Sequence, residues 1–78
     1  MITIKYFGAI AEKVKTEGES LSFSNQSLED VINTLDQKHE LSTLSYSIAV
    51  NQKIIQDTKS YLLESNDVVA LLPPFAGG

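Results

Sequence analysis

A chain of 78 residues with 42% hydrophobic content makes one domain, near the lower size limit for a core unsupported by metal or disulfide. It has no cysteine, which excludes a disulfide framework and thiolate metal sites and suits a reducing compartment. A net charge of −4 with no arginine makes nucleic acid and anionic membranes poor candidates for partners.

The opening Met1-Ile2-Thr3-Ile4-Lys5-Tyr6-Phe7 alternates apolar and polar residues. It lacks the basic and continuously apolar regions of a signal peptide, so a soluble cytoplasmic protein is expected. Residues 2–7 read as a strand with Ile2, Ile4 and Tyr6 on one face and Thr3, Lys5 and Phe7 on the other. Phe7 either packs beneath the next turn, the slightly favoured reading, or adds to a partner-binding patch. Gly8 ends the strand, and Ala9 to Val14 suggests a single helical turn. Lys15 to Glu19, with Gly18 inside it, reads as a turn. Leu21 and Phe23, alternating with serines, form a second strand. Glu12, Glu17 and Glu19 read as a solvated acidic stretch.

The main helix has the clearest signature. Ser27 and Asp30 form a capping-box-like start, and Leu28, Val31, Ile32 and Leu35 fall on one stripe at helical spacing. Glu29 and Asp30 at its start and Lys38 at its end suit the helix dipole. His39, also at the end, reads as a cation favourable to the helix end; a metal or catalytic role would need Cys, His or carboxylate partners brought beside it. Leu41 and Leu44 should close the core. Ile48 to Val50 reads as a strand, Asn51-Gln52 as a turn and Lys53 to Ile55 as a return strand. Thr58 to Leu63 fits either an extended segment or a helical turn. Tyr46 and Tyr61 are expected half-buried. Glu64 to Asp67 is a turn by composition. Val68 to Leu72, five consecutive apolar residues, should be a strand covered on both faces or central in the sheet. This order gives an α+β fold, a β-grasp with a small mixed sheet on one main helix. The expected division is a domain over residues 1–72 and a flexible, extended C-terminal tail over 73–78.

That tail, Pro73-Pro74-Phe75-Ala76-Gly77-Gly78, carries the functional reading. The two prolines cannot donate backbone hydrogen bonds and favour an extended chain, so six residues could reach up to about 18 Å beyond the sheet. Phe75 suits an anchoring role in a partner's pocket, although it could instead fold back onto the sheet. Glycine buries no side chain and weakens ordered structure. Two at the end suit passage of the Gly78 carboxylate through a narrow channel into another protein's active site. Adenylation by ATP would activate that carboxylate. Sulfide or a persulfide would then leave a thiocarboxylate, and an amine would leave an amide. The plain alternative is a frayed terminus.

The run Leu71-Leu72-Pro73-Pro74-Phe75-Ala76-Gly77-Gly78 resembles the C-terminus of the small subunits of molybdopterin synthase, the ubiquitin-like sulfur carriers of molybdenum-cofactor synthesis. Tyr6 to Val14 resembles that family's opening strand and turn, Ile48-Ala49-Val50-Asn51-Gln52 its mid-chain hairpin, and Asn66-Asp67-Val68-Val69-Ala70 its entry to the last strand. Lys13, Asn66 in place of a turn glycine, and Phe75 depart from the family pattern. The resemblance implies that a ubiquitin-activator-like enzyme uses ATP to adenylate Gly78, which becomes a thiocarboxylate. The carrier itself would bind no cofactor. Pro73, Pro74, Phe75, Ala76 and Gly77 would enter the large synthase subunit, in a heterotetramer, and sulfur would pass to cyclic pyranopterin monophosphate. The acid–base groups would lie on the large subunit. A sulfur carrier for thiamine thiazole synthesis, a protein modifier joined to lysines through Gly78, and an interaction module with an inert tail are the competing readings.

Overall fold

The computed structural model describes residues 1–73. The elements follow the order β1 (Ile2–Tyr6), α1 (Gly8–Val14), β2 (Gly18–Leu21), α2 (Leu28–His39), a short 3-10 turn (Leu41–Thr43), β3 (Ser47–Val50), β4 (Lys53–Ile54) and β5 (Val68–Leu72). The five strands form one sheet in the order β2-β1-β5-β3-β4. β1 and β5 run parallel, and every other pairing is antiparallel. The result is the expected α+β, ubiquitin-like β-grasp: a mixed sheet whose inner face packs on α2.

Side-chain alternation builds the core. Ile2, Ile4 and Tyr6 from β1, Val69 and Leu71 from β5, and Val50 from β3 all point inward and are buried. They meet Leu28, Val31 and Leu35 of α2, with Leu41 and Ile10 closing the ends. Ile32 and Leu44 only border this cluster.

α2 starts as its sequence indicates. Ser27 accepts from the Asp30 amide at 3.1 Å, and the Asp30 carboxylate accepts from the Ser27 amide at 3.2 Å, so the shorter acid completes the capping box. Asn51 and Gln52 both have positive φ (50° and 72°), the geometry that lets a two-residue turn join β3 to β4. Thr58 to Leu63 is largely irregular, with one isolated bridge from Leu62 to Ser27.

Three expectations need correction. α1 is seven residues rather than one turn, and it closes on Lys15 in the left-handed region (φ 66°). Gly18 is therefore not the turn residue. It opens β2, where a Cβ would lie 2.7 Å from the Ile4 carbonyl oxygen; glycine there permits close strand approach. Phe23 lies beyond β2, which ends at Leu21.

Candidate functional site

β5 occupies the centre of the sheet, between β1 and β3. Its apolar run is not covered on both sides, however. Val69 and Leu71 are fully buried, whereas Val68, Ala70 and Leu72 on the opposite face are only half-buried. Register sets Ala70 beside Lys5 and Ala49, and Ala49 beside Ile54. Phe7 and Ile54 are each 44% exposed on this face. Together they line an open groove of ≈ 570 Å³. Phe7 thus stays on the open face and does not pack beneath α1. Half-exposed apolar side chains clustered on one face are a mark of a docking surface.

The groove lies where β5 delivers the chain. The Phe7 amide donates to the Leu71 carbonyl at 3.2 Å, holding β1 and β5 together up to their ends. Leu72 is the last residue of β5, and Pro73 follows, exposed. Of the tail residues proposed from sequence, Pro73 is placed beside this face. Pro74, Phe75, Ala76, Gly77 and Gly78 lie outside the described residues.

Two polar clusters brace the frame. Asn51 donates through Nδ2 to Asp67 Oδ1 at 2.9 Å and accepts from the Val68 amide at 3.0 Å, while Asp67 Oδ2 accepts from the Glu64 amide at 2.8 Å. The Ala-Val-Asn hairpin and the Asn-Asp-Val turn therefore bond to each other and hold the β3–β4 turn against the start of β5. Asn66 takes φ 71° in that turn, a conformation asparagine tolerates better than most side chains.

The second cluster was not legible in the sequence. The Glu19 carboxylate on β2 accepts from the Tyr6 hydroxyl, from Lys38 Nζ, and pairs with His39 Nε2 at 2.8 Å. Burial by itself would raise the Glu19 pKa. The hydrogen bonds from Lys38, Tyr6 and His39 outweigh it and lower the value from 4.5 to about 2. The Tyr6 hydroxyl is held well above its ordinary range, by burial first and then by its bond to Glu19 and that carboxylate's charge. Glu19 is a brace between the edge strand and the end of α2, not a residue of a solvated stretch. Among the described residues, no group of three or more histidine, cysteine or acidic side chains could hold a metal ion, and no helix is long and apolar enough to cross a membrane.

A β-grasp body whose central strand ends beside an open apolar sheet face defines the structural class, that of ubiquitin-like proteins. Within it, the chain belongs to the ThiS family, whose model matches residues 4–78. Similar solved structures include the putative molybdopterin converting factor subunit 1 of Pyrococcus furiosus, with a TM-score of 0.84 and 21% identity over 95% of this chain and 97% of that one. Another is found in the complex of subunits 1 and 2 of the molybdopterin-converting factor of Helicobacter pylori, with a TM-score of 0.72 and 28% identity over 99% and 97% of the two chains. The small archaeal modifier protein 1 of Methanosarcina acetivorans gives 0.75 and 23% over 99% and 95%.

Proposed function

We propose that this protein is the sulfur-carrying small subunit of a molybdopterin synthase. The observation that carries the reading is the open apolar face of Phe7, Ile54, Val68, Ala70 and Leu72 beside the exit of β5. A partner seated there receives whatever follows Pro73. The Helicobacter pylori neighbour, 28% identical, was solved as a complex of the two converting-factor subunits, which favours a large synthase subunit as that partner. We place two carriers on a large-subunit dimer, in a heterotetramer.

In this reading the Gly78 carboxylate attacks the α-phosphorus of ATP on a separate activating enzyme and releases pyrophosphate. Sulfide displaces AMP from the acyl-adenylate and leaves a thiocarboxylate. The sulfur of that thiocarboxylate forms a bond to a side-chain carbon of cyclic pyranopterin monophosphate as that carbon's bond to oxygen breaks, the oxygen leaving on phosphorus or as water. Water then takes the acyl carbon and restores the Gly78 carboxylate, and two rounds supply the dithiolene. Gly77 and Gly78, without side chains, suit the narrow passages both steps require. The carrier supplies the nucleophilic sulfur, and the large subunit supplies substrate binding and proton transfer.

Intact-mass measurement on the protein from its own cells tests this. The expected result is one sulfur-for-oxygen exchange, lost on deleting Gly78, together with loss of molybdoenzyme activity and an unchanged melting transition. Lysine-linked conjugates without that exchange would replace the reading with a protein modifier. Copurification with a thiazole synthase in place of a large synthase subunit would move the carrier to thiamine synthesis.

A further inference from the structure

The geometry points to Gly8 as the positioning residue for the C-terminal arm: its missing side chain is the seat on which Pro73 rests, and that seat sets the direction in which the chain leaves the sheet. The inference rests on the reading of the arm as the delivered group.

β1 and β5 lie parallel, in register from Thr3 with Val68 to Tyr6 with Leu71. The bond from the Phe7 amide to the Leu71 carbonyl is the last one between them. One residue later the two chains part. β1 gives way to α1 at Gly8, which turns with φ +58°, while β5 ends at Leu72 and passes into Pro73. A Cβ built on Gly8 would stand 2.7 Å from Pro73 Cγ, 3.6 Å from Cδ and 3.9 Å from Cβ. The first distance is shorter than carbon atoms in contact allow, so any side chain at position 8 must displace the proline ring.

Pro73 has no N–H to donate to a neighbouring strand, so it cannot extend the β1–β5 ladder as a donor. Van der Waals contact with the Gly8 backbone takes over where hydrogen bonding stops. The ring in turn fixes its own φ, so the orientation of the seat passes into the chain that follows. A tilt at this root changes the direction in which the chain leaves the sheet. Placement of a reacting group is sensitive on this scale, since a shift of about 1 Å can cost on the order of a hundredfold in rate. Position 8 therefore needs glycine twice: for its positive φ, and for the room it leaves the proline.

These two needs can be separated experimentally. Gly8→Ala, Pro73→Ala and the double variant are made in the full chain and charged by the activating enzyme with ATP. The kcat and KM of adenylation, affinity for the large subunit and melting temperature are measured for each. Nuclear Overhauser contacts from Gly8 Hα to the Pro73 ring are recorded on the free wild-type chain. Those contacts should be present. G8A should lose on the order of tenfold in kcat, with the KM of adenylation within about twofold because the apolar face of the sheet is untouched. Adding P73A should remove most of the G8A effect, so that the double variant behaves as P73A alone.

Alanine strained at φ +58° lowers the melting temperature on either reading; a purely conformational role would leave the same kcat loss in both proline backgrounds, and that result overturns the inference. So does wild-type kcat in G8A, or absence of the Overhauser contacts. A wild-type chain that shows the contacts yet is never adenylated would instead remove the sulfur-carrier reading and leave the Gly8–Pro73 seat standing.

Discussion

The two faces of the sheet are built from the same strands and obey opposite rules. On the inner face, Ile2, Ile4, Val69 and Leu71 are wholly shielded from solvent by α2. On the outer face, one residue along in each case, Lys5, Val68, Ala70 and Leu72 remain accessible in part. A sheet with one solvated face ordinarily shows polar residues there, as antiparallel sheets do most clearly. Here β5 keeps apolar residues on both. The inner row stabilises the isolated domain, whereas the outer row gains its full burial only when something covers it. On the proposed reading, folding and docking fall to alternate residues of one strand, and substitutions should separate them.

The sharpest contrast should come from neighbouring leucines. Leu71→Ala, which opens a cavity in the core, should cost about 3 kcal/mol and lower the melting temperature by roughly 10–20 °C. Leu72→Ala should shift it by only a few degrees. Equal losses at both positions in thermal melts would erase the distinction between the faces. The complementary test introduces charge on the outer face. Ala70→Asp should weaken large-subunit binding by on the order of thirtyfold, about 2 kcal/mol, and Phe7→Ala by about tenfold. Both should melt near wild type. Titration calorimetry showing unchanged affinity for both variants would remove the docking role of this face.

A smaller effect concerns the brace that keeps β2 in place. The Glu19 carboxyl has a pKa of about 2 in the folded protein against 4.5 ordinarily. Its contribution is therefore present in full above about pH 4.5 and fades as pH falls toward 2. Glu19→Gln should cost about 1–2 kcal/mol at neutral pH. The gap between the two proteins should narrow steadily below pH 4.5 in parallel melts. A gap that stays constant across that range would show that the charge of Glu19 contributes nothing. Smallest of all, Asn66→Gly should leave stability within about 0.5 kcal/mol, while Asn66→Ala should lose about 1 kcal/mol to left-handed strain. Chemical denaturation would resolve the two.

Local signals account for what could be read from the chain. The Ser27–Asp30 capping box, the stripe of Leu28, Val31 and Leu35, and the alternation of Ile2, Ile4 and Tyr6 each depend on near neighbours in sequence, and each appears where its pattern puts it. Gly18 misled because glycine signals both turns and close strand approach. Only the pairing with β1 decides between them, and the turn itself fell to Lys15. Glu19 was read as solvated because its partners Lys38 and His39 lie about twenty residues away. Val68 to Leu72 carried too little information about its faces, since an unbroken apolar run has no alternation to read.

Sequence by itself determined the element order, the one amphipathic helix and the apolar strand leading into Pro73, because these follow from propensities and periodicities spanning a few residues. It also supplied the glycine pair on which the functional proposal draws. Tertiary structure alone decided which face of β5 remains open, that Glu19 ties the edge strand to the helix, and that Gly8 lies under Pro73. Each of these depends on the parallel pairing of the first strand with the last, or on the helix crossing beneath them. Contacts closed over such long loops leave no mark in any local window of sequence.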